Sequence, residues 1–388
     1  MFVPLRRGAK ILPLITAIVT LVFVPIFFAE VYVGTKSDSD FPAHLLWAMD
    51  IKSGKPIPAY VTAHAAWQYL VLALNTTFGL SFENAELLAI TFCIGCTIAV
   101  LLWWFWPALK KAKLSISQMI GVVLGVNIAA PVFLMWFLDR EMYLGYVGVT
   151  SYHNPTIILL RPLVLLQFIY ALQCFESKPL PKINVPIAAL ISLLATFAKP
   201  NFAICLLPAI ALVALYKMIH KESVNLAFLV YGFVLPMVLM LLWQLWMTYV
   251  GDDTAHVIFF PFGVMNTYSD YLLPKFFLSI LFPLVVTILY WKQASRDLPK
   301  ILAWLIFIFG SFYTYFIAES GPRFTDGNFT WSGEIALFVL FAISTLFFIK
   351  VPKSPDFSKI AGETFWALHV VAGVIYYVYF TLHMLYIV

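Results

Sequence analysis

What most constrains this chain is a succession of apolar runs, most of them long enough to cross a hydrocarbon core as a helix. They fall at 11–33, 84–107, 116–138, 155–175, 183–198, 201–218, 224–249, 273–291, 300–318, 333–349 and 361–385, which predicts about eleven spans. Of the 388 residues, 62% are hydrophobic and only 11% charged, too few polar groups to cover a water-soluble surface. The runs lack the ten-residue alternation of an outer-membrane barrel. The expected fold class is therefore all-α, a polytopic helical membrane protein, and 1–388 reads as a single integral-membrane domain. The first run, Ile11 to Val33, is too long for a signal-peptide core and has no obvious small-residue cleavage site, so it is read as a permanent span.

Charge placement supports this division. Lys110, Lys111 and Lys113, Lys217 and Lys221, and Lys292, Arg296 and Lys300 lie in short connections on what the positive-inside rule makes the cytoplasmic side, together with Arg6, Arg7 and Lys10. This places the N-terminus inside. The connections 34–83, 139–154, 250–272 and 319–332 then face outward, and they are longer and richer in acidic and aromatic residues. The net charge of +5 is explained by this asymmetry, and no nucleic-acid partner is expected. The stretch 62–80 is apolar, but counting it as a crossing spoils the charge pattern. It is read as a second interfacial or re-entrant helix.

Several function classes are excluded by what is missing. There is no P-loop, dinucleotide-binding Gly pattern, kinase set, zinc-protease helix or Gly-x-Ser-x-Gly elbow. Cys93, Cys96, Cys174 and Cys205 all fall inside predicted spans, where small apolar packing residues are expected rather than a disulfide framework or a zinc site.

The chemistry-bearing stretch begins where the first span meets water, with Asp38 and Asp40 in Gly34-Thr-Lys-Ser-Asp-Ser-Asp-Phe-Pro-Ala-His44. Asp40 is placed to cap a short surface helix, with Pro42 in its first turn, Phe41, Leu45, Leu46 and Met49 at helical spacing, and Gly54 as its stop. His44 falls one turn after Asp40, and His64 opens the second apolar surface stretch. A first span followed at once by an acidic outward loop, then by surface helices and many further spans, resembles the GT-C superfamily of polyprenyl-phosphate-dependent glycosyltransferases. The resemblance covers about the first hundred residues, through Asp38-Ser39-Asp40, the run to His44, and Gly54-Lys55-Pro56-Ile57-Pro58.

The resemblance implies inverting sugar transfer at the outer leaflet, with a first-loop carboxylate as general base and a lipid phosphate as leaving group. Asp40 is the first choice for that base and Asp38 the second. In some members the acidic pair helps hold a divalent cation such as Mg or Mn, which leaves metal dependence open here. A departing phosphate needs cations, and two lie toward the outer side of apolar runs: Arg161, a turn and a half into the span after His153-Asn154-Pro155, and Lys199 in a Lys-Pro-Asn turn. His153 and Asn154 either contact phosphate or sugar, or cap the next span. Arg323, Asn328 and Trp331, in the last long outward loop, combine hydrogen-bonding groups with an aromatic face as a carbohydrate site does, although an interfacial aromatic belt also explains Trp331.

These readings lead to a membrane glycosyltransferase of the cytoplasmic membrane, taking a polyprenyl-phosphate-linked sugar and a glycan, lipid or protein acceptor among the membrane lipids. The alternatives are a transporter or flippase for an anionic or lipid-linked substrate, an O-antigen-like polymerase or ligase, and an accessory subunit. The transferase reading requires that Asp40 and the cations, far apart in the chain, converge.

Overall fold

The computed structural model describes residues 11–33, 39–176, 181, 183–250, 255–351 and 356–385. Asp38 lies outside them. The chain is a multi-pass membrane protein built almost wholly of helices. Eight are long and apolar enough to cross a membrane, a bent pair forms a ninth candidate, and two shorter apolar helices, Ile116–Ile128 and Asn184–Ala198, stand beside them among the described residues.

In chain order, α1 (Ile11–Tyr32) leads into the surface helices α2 (Phe41–Lys52), α3 (Ala59–Thr62) and α4 (Ala66–Phe78). The next group is α5 (Phe82–Lys111), α6 (Ile116–Ile128), the single turn α7 (Trp136–Asp139), α8 (Pro155–Gln173), α9 (Asn184–Ala198) and α10 (Asn201–Ile219). A crossing from Leu226 to Tyr249 follows, made of α11 (Leu226–Leu229), a π turn at Val230–Val234 and α12 (Leu235–Tyr249). After strand β1 (Val257–Phe259) come α13 (Gly263–Tyr268), the bent pair α14 (Leu272–Ser279) and α15 (Leu281–Leu289), the turn α16 (Trp291–Ala294), and α17 (Leu298–Phe316). Strand β2 (Ile317–Glu319), α18 (Trp331–Lys350) and α19 (Asp356–Met384) complete the chain.

The sequence pattern explains the placement of these elements. Helix α18 is apolar all round, every residue from Trp331 to Phe347 is buried, and its longest seam is with α17. A helix with no polar face belongs at the centre of a bundle, and α18 is the central post. By contrast α4 has thirteen residues, about 20 Å at 1.5 Å per residue, too short to cross, and it packs against α2 and α5 as a surface helix.

Two differences from the sequence reading concern backbone regularity. The run 116–138 does not form one helix. Helix α6 stops at Ile128, and the chain from Ala129 continues in irregular conformation to the single turn α7. His369 of α19 explains part of this, since its Nδ1 donates to Ala130 O (2.7 Å) and its Nε2 accepts from the backbone N–H of Phe282 (3.3 Å). A lone buried imidazole thereby satisfies two backbone groups that a broken helix and a bent one leave open, within a bundle where water is scarce. The second difference is a small antiparallel pairing, Val257 with Glu319 through Phe259 with Ile317, which ties the 255–272 connection to the end of α17.

The same corner holds a close crossing. A Cβ added at Gly373 of α19 meets Ile128 O at 1.9 Å and Ala129 Cα at 3.1 Å. Backbone atoms cannot step aside as a flexible side chain can, so Gly373→Ala is expected to destabilise the protein by about 1–3 kcal/mol. Thermal unfolding of the purified variant in detergent, compared with native protein, measures this.

Candidate functional site

Helix α2 sets the position of Asp40 by anchoring Phe41. That ring is fully buried between Phe27 of α1 and Trp67 of α4, with ring centroids 6.4 and 6.3 Å away. One turn on, His44 Nδ1 shares a 2.8 Å hydrogen bond with Gln68 Nε2. Asp40 occupies the N-cap position, but its side chain makes no capping bond, contrary to the sequence reading. Its backbone N–H donates to His153 O (3.0 Å), and its carboxylate Oδ2 accepts from Asn154 Nδ2 (2.6 Å). Helix α2 takes up its position through tertiary packing and Pro42, which leaves the carboxylate to face a cavity.

Asn154 is the true cap of α8. Its Oδ1 accepts from the Ile157 backbone N–H (3.0 Å) and from Thr156 Oγ1 (2.6 Å). Those two donors fix the orientation of the amide, because the carbonyl must face them and the NH2 must face Asp40. Thr156 Oγ1 in turn accepts from Lys199 Nζ (3.0 Å). A chain of three hydrogen bonds therefore runs from Lys199 through Thr156 and Asn154 to Asp40. It joins elements separated by well over a hundred residues of sequence.

A cavity of about 440 Å³ lies over this chain. Its wall includes Asp40, His44, His64, His153, Asn154, Lys199, Arg323, Asn328 and Trp331, so nine of the candidates from the sequence meet at one place. Lys199, at the extended residue between α9 and α10, has its ammonium 5.0 Å from the centre of the Trp331 ring. His153 packs 5.4 Å from the same ring and 5.3 Å from Tyr143. Arg323 lies over Tyr60 (4.8 Å) and pairs with Glu319 (2.9 Å). Asn328 donates its amide to Glu319 Oε2 (2.5 Å), and Tyr249 donates to Glu319 Oε1 (2.6 Å), so Asn328 serves as a brace for the arginine's partner.

Arg161 is placed differently. It lies six residues into α8, about 9 Å below the rim along the helix axis. Its side chain is buried, with Nη2 donating to Val149 O (3.3 Å) and the guanidinium over Phe338 (5.0 Å). It is not part of the cavity wall. The second cation at the wall is Arg323.

Three wall features escaped the sequence reading. Glu334 is the one carboxylate in the apolar run of α18, and both its oxygens accept from Tyr143 Oη (2.6 Å). An ionisable group inside an apolar run is a signal the sequence carried. Tyr143, in a loop, and Tyr60, on the single-turn helix α3, gave no such signal, because only the packing determines where those segments run. Burial, with the Glu334 carboxylate beside it, holds the Tyr143 phenol far above its ordinary value, so it acts as a donor.

The polar groups of the wall influence one another. Burial first, then Lys199 and its neighbouring charges, push the imidazoles of His44 and His64 below their usual value, which leaves them neutral. Burial also lowers the Lys199 ammonium to about 8, against the pull of Asp40, Glu334 and Glu319. Among the described residues no three His, Cys, Asp or Glu side chains stand together in a way that could hold a metal ion. A site with carboxylates at Asp40 and Asp326, two cations, neutral imidazoles and aromatic walls is suited to taking a proton from a hydroxyl while holding an anion nearby.

No protein-family model matches this chain, and neither a curated protein nor a solved structure matches it.

The lowered Lys199 value has a sign that can be tested. The amine carries its charge below about 8 and loses it as the pH rises through that value, whereas an ordinary lysine would stay charged. Binding of sulfate, whose own charge is constant over this range, is expected to weaken as the pH rises past 8. In Lys199→Arg, which stays charged throughout, the weakening should be absent. Isothermal titration on either side of that pH reads both outcomes.

Proposed function

We propose that this protein is a membrane glycosyltransferase of the GT-C type, which transfers a sugar from a polyprenyl-phosphate carrier to an acceptor hydroxyl. The observation that carries the reading is the meeting of Asp40 and Lys199 at one cavity, linked by the Asn154 and Thr156 side chains. General-base catalysis at a phosphate leaving group needs a base and a cation within reach of one substrate, and this arrangement supplies both.

In the proposed reaction the acceptor hydroxyl enters the polar cavity and points at the Asp40 carboxylate oxygen not held by Asn154. As that hydroxyl oxygen bonds to the anomeric carbon, the bond from that carbon to the phosphate oxygen breaks. The proton passes to Asp40, and the bonding pair leaves on the lipid phosphate, where negative charge grows. Lys199 and Arg323 stabilise that charge more strongly in the transition state than in the ground state, which lowers the barrier. Trp331, Tyr60 and Trp47 offer flat apolar faces for sugar rings. Attack from the side opposite the leaving phosphate inverts the anomeric centre. Arg161, beneath the wall and near Glu334 and Tyr143, contributes to the field of the site at one remove.

The same reading places the N-terminus in the cytoplasm of a cell bounded by an inner membrane, with the cavity on the outer face, because the basic connections lie at the opposite end from the loops that build the cavity.

Asp40→Asn keeps the shape of the side chain and an acceptor for Asn154 while removing the base. Assayed in lipid with a panel of polyprenyl-phosphate sugars, the variant is expected to fold and to lose about 10²- to 10⁴-fold in rate. Equal rates for variant and native protein would remove Asp40 from the chemistry. A native protein that turns over none of the carriers would favour transport of an anionic lipid instead.

A further inference from the structure

The connection between α12 and α14 reads from the sequence as an outward loop, yet it carries no Asp, Glu, Lys or Arg from Ala255 to Ser269 and holds Val-Ile-Phe-Phe-Pro-Phe at 257–262. Phe259, Phe260 and Phe262 are all exposed, Phe259 at 64%. Three neighbouring phenylalanines turned outward make an apolar patch that a surface bathed in water rarely keeps.

The patch continues a surface that faces lipid. Ile308, Phe312 and Phe316 recur every four residues along the spanning helix α17, and Ile308 and Phe312 are exposed. Phe312 stacks on Phe316 (5.4 Å), and Phe316 stacks on Phe259 (6.1 Å) and packs against Phe262 (5.4 Å). The row of rings runs from the side of α17 onto the segment beyond its end. The 19 residues of α17 rise about 28 Å, close to the thickness of a hydrocarbon core, so its last residue stands level with the core's edge. Phe259 pairs with Ile317, the residue after α17, and shares that level.

The backbone fits the same surroundings. The last carbonyls of a helix have no partner within it. Here the Phe260 N–H donates to Phe316 O (2.9 Å) and the Phe262 N–H to Tyr315 O (2.5 Å). Phe262 makes its bond from left-handed backbone, φ 60°, a conformation costly for a bulky side chain. The segment thus closes the end of α17 without calling on water, as a lipid environment requires.

We propose that residues 259–262 are a membrane anchor, seated at the boundary between headgroups and acyl chains in the leaflet on the cavity's side, with the rings of Phe259, Phe260 and Phe262 in contact with lipid.

Continuity with the flank of α17 and the level of the segment favour lipid over a protein partner. The anchor also bears on the cavity. Phe260 packs against Phe324 (5.8 Å), next to the wall residue Arg323, and β1 pairs with the strand that carries Glu319. Contact with lipid thereby sets the height of that wall relative to the bilayer. The anchor depends on the chain being a membrane protein and not on the chemistry at the cavity.

The test uses the full-length protein in phosphatidylcholine vesicles. Spin labels at Phe259→Cys and Phe262→Cys are compared with one at Lys55→Cys, an exposed position outside the cavity wall. The signal of the native chain, whose cysteines are buried or half-buried, is subtracted. Collisions with oxygen, which concentrates in lipid, are expected to be several-fold more frequent at the two hairpin labels than at the reference, and collisions with a water-soluble nickel chelate several-fold rarer. Chelate access equal to the reference would put the segment in water and overturn the proposal. Shielding from both reagents, or line broadening that grows with the labelled fraction, would show a protein cover or a second copy and overturn it equally. Native protein supplies a check that needs no variant to fold. Phosphatidylcholine with a diazirine near the glycerol end of an acyl chain should label 259–262 on photolysis, and absence of label there would overturn the anchor.

Discussion

Hydrocarbon offers no hydrogen bonds, so each backbone amide and carbonyl of this chain must find its partner within the protein or at the membrane surface. That constraint makes the bundle helical and leaves irregular backbone only where protein or water can satisfy it. Residues 129–130 find their partners beside His369 midway along α19, and the connections 139–154, 255–272 and 317–330 meet the surface helices around one cavity. Their polar groups find partners in one another. His153 O receives the Asp40 amide, Asn154 caps α8 while holding the Asp40 carboxylate, and Glu319 collects Arg323, Asn328 and Tyr249. The cavity is the space enclosed by loops that have satisfied one another.

The central helix and the site are linked in the same way. Helix α18 is buried because it is apolar on every side, and its burial carries Trp331 and Glu334 at its start into the middle of the loops. Trp331 thereby becomes a wall for Lys199 and His153, and Glu334 becomes the acceptor for Tyr143. Lys199 reaches the same place because the turn between α9 and α10 is too short to carry it elsewhere. Ordinary packing rules thus bring a cation, an aromatic face and a carboxylate to the wall of one cavity.

The places where sequence reasoning fell short are instructive for physical reasons. Asp40 has the residue type, the position and the following proline of a helix cap, yet its side chain makes no capping bond: its backbone is helical (φ −78°, ψ −13°) where a capping residue is usually extended, and its Oδ2 accepts from Asn154 instead. Arg161 was singled out correctly as a buried cation, but its depth along α8 puts it behind the wall. The run 116–138 looked like one span because hydropathy does not register backbone hydrogen bonds made by a histidine more than two hundred residues away. Arg323 and Asn328 have the residue types of a sugar wall. The structure keeps both at the cavity while assigning much of their hydrogen bonding to Glu319.

By itself the sequence determined the class of molecule, a polytopic helical membrane protein, because hydropathy over a span-length window is a local quantity that needs no partner. It also marked nine of the residues that come to line the cavity, since polar and ionisable groups at the edges of apolar runs are costly to place without a use. Only the tertiary structure decided that these residues meet. The link from Lys199 through Thr156 and Asn154 to Asp40 joins α9, α8 and α2, and a hydrogen bond between side chains so distant in the chain depends on how helices pack against one another, which no local window of sequence contains.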